Sequence, residues 1–437
     1  MIILGEHFGF IGNNNRYYLE EDNLKQCKIL DVLKEPILKP FNNQQDTFCF
    51  KFNTSDEGNY QFETGYYIGV DWIGNSGLPI YIQPKLNTED YEVDYLKMLF
   101  EALQEPENFK HLDNLYTIDF KAPLIEIEQH QDKLTPLLLL EFLQLVKQIV
   151  RKGLKKSYYK VSKNLNSKVK GKILINATVK QNHTKQKMLY NVCQYEEFGY
   201  NSLENRILKK ALLFSQSILS NLKGTSTVDF KQLFHYVFPA FQLVNEDIDV
   251  RSLKNIKPNP LFKEYTQALK LAKIILRKYG YNISKTTETK IKTPPFWIDM
   301  TKLFELYVFK KLRAVFPNKG EVIYHQKVNR QEPDFILCSK DDVFKMVVDA
   351  KYKPRYADNE ILMKDARQIS GYARMKKMYE LLNEKNTSKI LDCIIIFSEQ
   401  SKQENISKEN LKNDKFKHYV NFFKASIRLP TTKTGSI

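Results

Sequence analysis

Three residues in the last third of the 437-residue chain have types and spacing that suit phosphoester chemistry, namely Asp334, Asp349 and Lys351. Asp334 begins one apolar run and Asp349 lies near the end of the next, with a short polar stretch at 339–342 between them. Two such runs pair as antiparallel strands, so both acids lie near one end of a hairpin, and Asp349 and Lys351 project to the same face. Carboxylates are ligands for Mg²⁺, which also takes phosphate oxygens, and a lysine can position water or stabilise negative charge. The pattern predicts a metal-dependent centre that cleaves phosphodiesters.

The flanking elements must position these groups. A helix over residues 299–315 is predicted, with Asp299 as its N-cap and Glu305 beside its buried stripe. Glu305 is either a third metal ligand beside Asp334 and Asp349 or an ordinary exposed glutamate. On a later helix Asp365, Gln368 and Tyr372 share one face. We expect Gln368 and Tyr372 to support the site, Tyr372 through packing. The alternative for Asp334 and Asp349 is a pair of strand-end carboxylates in salt bridges.

The rest of the chain divides into three predicted domains in an α/β multidomain architecture. Residues 1–125 read as mainly β, with a hairpin turn at 75–77. Residues 126–290 have helical periodicity, with helices expected at 137–149, 202–222, 230–241 and 261–279. Residues 291–437, which begin at the Pro294-Pro295 pair, read as an α/β domain with a mixed central sheet flanked by helices.

The charge pattern indicates an anionic partner. Lys and Arg outnumber Asp and Glu by 67 to 51, and residues 142–195 hold thirteen Lys or Arg and no acidic residue. Spread lysines neutralise phosphates, so DNA binding is predicted in this region. The alternative is a basic helix face that docks on an acidic partner protein. The predicted DNA-binding residues are Lys155, Lys156, Lys163, Lys168, Lys170 and Lys172.

Several classes of protein are disfavoured. The five cysteines stand singly, which favours neither a disulfide framework nor a zinc site. The chain has no phosphate-binding loop of the GxxxxGK[ST] type, so we expect it to bind no nucleotide itself. Its most apolar run, 137–146, is interrupted by Glu141 and is too short to span a bilayer, so we expect no membrane partner and a cytoplasmic location.

The motifs resemble known families. The Pro-Asp…Asp-x-Lys arrangement is similar to the PD-(D/E)xK nuclease superfamily, and Gln368…Tyr372 resembles the QxxxY element of its RecB-like members. More narrowly, the chain resembles the McrC family of McrBC-type and LlaJI-like restriction systems over about residues 65–397. The blocks that carry this likeness are Gly69 with 80–85, 171–174 through Asn182, 196–198 with 205–209, 298–305 and 349–353.

The resemblance implies an Mg²⁺-dependent DNA endonuclease subunit, in which Mn²⁺ can substitute. Such a subunit belongs to a GTPase-driven restriction system that acts on modified DNA of the 5-methylcytosine type. Its partner is a hexameric ring of McrB-like AAA+ GTPase subunits, which the N-terminal part, here 1–125, engages. Two alternatives remain open: a stand-alone RecB- or resolvase-like repair nuclease, and a non-catalytic DNA-binding regulator of an AAA+ ring.

Overall fold

The computed structural model describes residues 1–9, 25–27, 35–42, 47–54, 60–112, 114–119, 121–128, 134–221, 233–248, 263–280, 290–328, 331–353, 361–400 and 406–433. The chain forms two compact units. One unit comprises Met1–Glu128 together with Lys290–Ile437, and the other comprises Gln129–Thr289. The predicted first and last domains therefore lie in one compact unit, and the predicted middle domain corresponds to the other.

The N-terminal part of the first unit is mainly β. Its elements are β1 (Ile2–Gly5), β2 (Ile37–Pro40), β3 (Phe48–Thr54), β4 (Tyr60–Thr64), β5 (Tyr67–Trp72), β6 (Pro79–Gln83), β7 (Tyr91–Val93), α1 (Tyr95–Ala102), β8 (Tyr116–Ile118) and β9 (Ile125–Glu128). A 3₁₀ helix, Pro106–His111, follows α1. The strands β5 and β6 pair antiparallel across the predicted turn at 75–77. Their apolar faces and those of β3 and β4 enclose a core rich in phenylalanine, including Phe50, Phe52 and Phe62.

The C-terminal part of this unit supplies a mixed sheet and, among the described residues, three helices around it. Its elements are β13 (Lys290–Thr293), β14 (Phe296–Asp299), α6 (Met300–Val315), β15 (Val322–Tyr324), β16 (Phe335–Cys338), β17 (Lys345–Lys351), α7 (Met363–Ala373), α8 (Lys376–Leu381), β18 (Asp392–Ser398), β19 (Asp414–Lys415), β20 (Phe422–Ile427) and β21 (Thr431–Lys433). The six-stranded sheet has the order β15-β16-β17-β18-β20-β19. Its β17-β18 and β18-β20 pairs are parallel and its other pairs antiparallel.

Helices cover both faces of this mixed sheet. On one face Val347 and Ile395 pack with Ile369 of α7 and Met378 of α8. On the other, the ring of Phe309 from α6 stacks 6.0 Å from that of Phe335. The Asp299 carboxylate accepts a hydrogen bond of 3.0 Å from the Lys302 amide, which confirms the predicted N-cap of α6.

Strand pairing joins the two halves of the first unit. The strand β14 lies between β5 and β8 in a sheet of order β1-β6-β5-β14-β8, and β21 pairs with β7. Gly69 of β5 permits the close approach of β14, because a Cβ there would lie 2.0 Å from the Phe296 carbonyl oxygen. The backbone at Gly69, with φ of +155°, also favours glycine. The position of β14, the strand that leads into α6, therefore depends on its pairing with the N-terminal strands.

The second unit combines helices with a long antiparallel hairpin. Its elements are α2 (Leu134–Lys152), β10 (Ser157–Asn166), β11 (Lys172–Ile173), α3 (Ile175–Gln181), β12 (Tyr190–Gly199), α4 (Leu203–Asn221), a 3₁₀ turn (Phe238–Phe241) and α5 (Lys263–Gly280). Predicted helices at 137–149, 202–222 and 261–279 fall on α2, α4 and α5. The helix predicted at 230–241 lies partly outside the described residues and ends in the 3₁₀ turn.

The prediction that the basic stretch of this unit is helical was wrong. Residues 157–166 and 190–199 are strands that pair over their whole length, and not part of a helical region. The alternation of Tyr159 and Val161 with Tyr158 and Lys160 has the two-residue period of a strand, with half-buried and exposed side chains in turn. The high lysine content of the stretch obscured that period. Among the helices that the structure describes, none is both long and apolar enough to cross a membrane.

Candidate active site

The sheet register brings the predicted acids together. Phe335 lies opposite Val348 in the β16–β17 pair, so Asp334, one residue earlier, comes next to Asp349. The Ala350 amide donates a hydrogen bond of 2.7 Å to Oδ2 of Asp334. The Lys351 ammonium lies 2.8 Å from Oδ2 of Asp349. The three predicted catalytic groups therefore converge at the end of one antiparallel pair.

Asp349 is the most buried of these groups. Its side chain is 1% exposed, and Lys351, its neighbour on the same face, is 16% exposed. Among the described residues no donor meets either Asp349 oxygen in good hydrogen-bond geometry, despite the short ion-pair distance to Lys351. A buried carboxylate that lacks hydrogen bonds needs a compensating cation or a proton. This incomplete pairing leaves lone pairs that a metal ion could use.

Burial and mutual repulsion disturb the protonation of the acids. Burial raises the pKa of Asp334 well above its usual value, and the carboxylates of Asp349 and Glu305 raise it further. Burial also raises the pKa of Asp349, although Lys351 opposes this effect. Burial acts to lower the pKa of Lys351, but the charges of Asp349 and Asp334 outweigh it and raise that pKa. The ammonium stays charged beside acids that hold protons more readily than usual.

Glu305 joins the same cluster from α6. Its Oε2 accepts a hydrogen bond of 3.1 Å from the Tyr324 hydroxyl and lies 3.0 Å from Nε2 of His325. One ligand atom from each of Glu305, His325 and Asp334 falls within 4.8 Å of the others, so these three side chains could hold a metal ion. Glu305 is therefore not an ordinary exposed helix residue, since its side chain is only 13% exposed.

Sequence reasoning missed His325. Its amide donates a hydrogen bond of 3.0 Å to the Asp334 carbonyl, and its φ of +51° turns the chain at the end of β15. A strained non-glycine residue beside acids is a mark of functional sites. The sequence gave no such signal, because His325 is one of seven scattered histidines and its spacing to Asp334 matches no metal-binding motif.

The donor set fits a small divalent cation. The carboxylates of Glu305 and Asp334, with that of Asp349 beside them, offer oxygen ligands of the kind that a divalent cation takes. The imidazole of His325 adds a nitrogen, which Mn²⁺ and other transition ions accept more readily than Mg²⁺ does. Glu305, His325 and Asp334 therefore form a group that could hold a divalent ion.

The α7 residues lie in different surroundings. Asp365 is buried and forms an ion pair of 3.3 Å with Lys353, two residues beyond Lys351. The exposed Gln368 amide donates a hydrogen bond of 2.9 Å to the Tyr372 hydroxyl. Tyr372 itself is 9% exposed and belongs to the core cluster of this sheet face. The described contacts of Gln368 and Tyr372 are therefore with each other and with the core.

Substitution of Tyr372 tests its packing role. We expect Tyr372→Phe to change stability little, because the lost hydrogen bond is to an exposed amide, and Tyr372→Ala to cost about 3–5 kcal/mol through the cavity it leaves. Denaturant unfolding of the two variants measures the difference. Equal losses for both would mean that the hydroxyl, not the ring, is what matters.

The six predicted DNA-binding lysines lie on or beside the hairpin of the second unit. Lys155 is half-buried and pairs with Glu204 at 3.2 Å, and Lys163 is exposed, 3.9 Å from Glu197. The ammonium of Lys156 lies 4.9 Å from the Tyr200 ring centroid and that of Lys170 lies 4.0 Å from the Tyr195 ring centroid. Of the six, five are exposed: Lys156, Lys163, Lys168, Lys170 and Lys172.

Other residues of the motif blocks have structural contacts. Asn182, at the end of α3, exchanges side-chain hydrogen bonds of 2.8 and 2.9 Å with Asn164 of β10 and donates one of 3.0 Å to the Tyr190 carbonyl. Asn205 is buried and donates to the carbonyls of Lys155 and Tyr200 while it accepts from the Tyr265 hydroxyl. These amides satisfy backbone groups, so their part in the sequence pattern is explained by folding.

Carboxylates and a lysine line this site, which suits a divalent cation. Comparison with known proteins shows the family to which the chain belongs. Residues 63–382 match the model of the McrBC 5-methylcytosine restriction system component, and the chain belongs to this family. No curated protein matches the chain.

Two solved structures from Thermococcus gammatolerans are similar to this chain. One is a refined half-complex of a tetradecameric assembly of McrB AAA+ hexamers with bound McrC, which matches at 17% identity and a TM-score of 0.35, over 98% of this chain and 94% of that chain. The other is a McrBC complex solved by cryo-electron microscopy, which matches at 17% identity and a TM-score of 0.28, over 71% of this chain and 86% of that chain.

Proposed function

We propose that this protein is the Mg²⁺-dependent DNA endonuclease subunit of a McrBC-type restriction system, with Asp334, Asp349 and Lys351 as its catalytic residues. The observation that carries the proposal is the convergence of these groups at one strand end, where Asp349 is buried and the Lys351 ammonium lies 2.8 Å from its Oδ2. The proposed centre is of the PD-(D/E)xK type. Membership of the McrBC family supports the restriction function.

Each residue has a distinct role in the proposed reaction. Asp334, Asp349 and Glu305 would hold the divalent ion, which polarises the scissile phosphate and acidifies a bound water when present. The Ala350 amide, which donates to Asp334, fixes the orientation of that carboxylate. The Lys351 ammonium, which stays charged beside Asp349, stabilises negative charge on the phosphate oxygens and orients the attacking water. Gln368 and Tyr372 support α7 behind the sheet.

We further propose that the chain acts together with a ring of McrB-like AAA+ GTPase subunits, as McrC does in the Thermococcus gammatolerans assembly. Its lack of a phosphate-binding loop of the GxxxxGK[ST] type agrees with a motor supplied by a partner. The exposed lysines of the second unit would contact the DNA backbone or an acidic face of the partner. Salt-sensitive DNA binding that depends on these lysines would favour the first of these roles.

A reconstituted cleavage assay tests the proposal. We expect linear DNA with 5-methylcytosine to be cut when the chain, its GTPase partner, GTP and Mg²⁺ are all present. EDTA should abolish cutting and excess Mg²⁺ or Mn²⁺ should restore it, because the acids need a divalent ion to bind phosphate. The control is the same DNA without methylation.

Two outcomes would favour other functions. Cutting by the chain and Mg²⁺ alone, without nucleotide, would favour a stand-alone RecB- or resolvase-like repair nuclease. Cutting by the complex that survives both Asp334→Ala and Lys351→Ala would favour a non-catalytic DNA-binding regulator of the ring.

A further inference from the structure

Lys85 extends from the N-terminal sheet toward the catalytic strand. It follows β6, and its ammonium lies 4.1 Å from the ring centroid of Tyr352 and 5.5 Å from that of Tyr66. Tyr352 is the residue directly after Lys351, at the end of β17. The Tyr352 ring lies 5.7 Å from that of Phe304, the residue before Glu305 on α6, so Lys85 lies beside the segments that carry the proposed active-site residues.

The charge of Lys85 has no close acidic partner among the described residues. Glu6 accepts a hydrogen bond of 3.1 Å from the Lys85 backbone amide, but no carboxylate lies within ion-pair distance of the ammonium. Burial lowers the pKa of Lys85, Glu6 opposes this effect, and Lys353 adds to it. A half-buried ammonium held between aromatic rings binds an anion readily, because solvent screens its charge poorly there.

Tyr66 adds an exposed aromatic surface to the same place. Its side chain lies where β4 leads into β5, is 38% exposed, and stacks on His7 with the ring centroids 4.8 Å apart. Its hydroxyl lies 3.2 Å from Nε2 of His7. Burial raises the pKa of Tyr66. Its backbone carbonyl accepts a hydrogen bond of 3.2 Å from the Met300 amide, so Tyr66 lies beside the start of α6, the helix that carries Glu305.

The acid beside Lys85 is buried away from an incoming anion. Glu6 is 3% exposed, and burial raises its pKa above the usual range. The Tyr352 hydroxyl faces the same carboxyl, and burial raises the pKa of Tyr352 strongly, so this phenol stays neutral. The accessible charge at this edge of the site is therefore that of Lys85, with Lys353 nearby.

We propose that Lys85 and Tyr66 form a subsite for the DNA backbone beside the scissile phosphate, so that the N-terminal sheet completes the substrate-binding surface of the nuclease. Lys85 neutralises a neighbouring phosphate as a point charge, and the Tyr66 ring stacks against a sugar or an unpaired base. Both act as positioning residues for the strand to be cut. This inference rests on the proposed nuclease function and adds to it a binding role for the N-terminal region.

The test measures DNA binding separately from cutting. In full-length protein carrying Asp334→Asn, we would follow the anisotropy of a short fluorescent duplex over a series of salt concentrations, without divalent ions. Lys85→Met should weaken binding roughly three- to tenfold and reduce the slope of log affinity against log salt by about 0.9, the value for one phosphate contact. Lys85→Arg should keep the slope. Lys121→Met, a change of an exposed lysine in the same region, serves as the matched control.

Tyr66 provides a second, independent variant. Because Tyr66 is partly exposed, Tyr66→Ala should fold, and we expect at least about fivefold weaker binding to DNA with a frayed or single-stranded end. Unchanged affinity in Tyr66→Ala together with an unchanged salt slope in Lys85→Met would overturn the subsite.

A double variant distinguishes phosphate binding by Lys85 from a role in which Lys85 only compensates the charge of Glu6. If Lys85 only offsets the buried Glu6 carboxyl, Glu6→Gln combined with Lys85→Met should restore both stability and DNA affinity. If Lys85 binds phosphate, stability should recover while the salt slope stays reduced. Failure of the nuclease proposal can be told apart from failure of the subsite. It would appear as DNA cutting that persists in Asp334→Asn, whatever the salt dependence of binding shows.

Discussion

Asp334→Asn should abolish DNA cutting and at the same time make the metal-free protein more stable at neutral pH. The asparagine can still accept the hydrogen bond from the Ala350 amide, so the local geometry is kept. It cannot supply the negative charge that a divalent ion needs, and we expect cutting to fall roughly 10³-fold, the upper range for loss of one charge-stabilising group. The rate of cleavage by the reconstituted complex measures this loss.

The stability gain follows from the raised pKa of Asp334. A carboxyl whose pKa is raised by folding stabilises the fold when protonated, below its unfolded pKa, and this contribution is lost as the pH rises through the folded-state pKa. At pH 7–8 the group therefore opposes folding, because burial, Asp349 and Glu305 all disfavour its charged form. Removal of that charge should raise the melting temperature by about 2–4 °C, which corresponds to roughly 1 kcal/mol.

The pH profile provides the control for this prediction. The advantage of Asp334→Asn over the unchanged protein should shrink as the pH falls and disappear below the unfolded-state pKa of the carboxyl, about 3.9, where the group is neutral in both states. Asp90→Asn, at an exposed position, should shift the melting temperature little at any pH. A variant that is less stable than the unchanged protein at pH 8 would contradict the assignment of Asp334 as a charge held for a cation.

Lys351→Met should also abolish cutting, but with the opposite effect on stability. Removal of the ammonium withdraws the positive charge 2.8 Å from the buried Asp349 carboxylate. We expect cutting to fall about 10²- to 10³-fold, because the charge that stabilises the phosphate oxygens is lost. We expect the free energy of unfolding to fall by about 3 kcal/mol, as when one partner of a buried ion pair is removed. Cleavage assays and denaturant unfolding measure the two effects.

A double variant identifies the cause of that destabilisation. Asp349→Asn combined with Lys351→Met removes both charges, so most of the lost stability should return while cutting stays absent. Lys417→Met, at an exposed site, should be neutral in both assays. Full cutting by Lys351→Met would exclude the lysine from the reaction.

Local sequence patterns carried most of the information on this site. The apolar runs around Asp334 and Asp349, and the polar turn between them, predicted strands that the structure places at 335–338 and 345–351. The N-cap at Asp299 and the helix that carries Glu305 were also predicted within a residue. These features depend on near neighbours in the chain, which is why a single sequence suffices to predict them.

The features that the sequence did not predict depend on distant contacts. His325 reaches Glu305 through the pairing of β15 with β16, and no residue spacing encodes that meeting. The insertion of β14 between β5 and β8 places Phe296 opposite Val70 and Ile118, which are 226 and 178 residues earlier in the chain. The hairpin of the second unit was predicted as part of a helical region, because lysines at exposed strand positions hid the two-residue period. The catalytic roles, the metal and the six DNA-binding lysines remain predictions.

The pairing of β9 with β13 has a consequence for how this protein could have been assembled. Glu128 lies opposite Lys290, so the chain leaves the first unit and returns to it on adjacent strands. An entire compact unit, Gln129–Thr289, therefore occupies the place of a hairpin loop. Because loop-closure cost grows only slowly with loop length, an insert of this size adds little closure cost to its host. This topology lets the strands of the first unit on either side of the insert pair as they would across a short turn, while the second unit forms its own core.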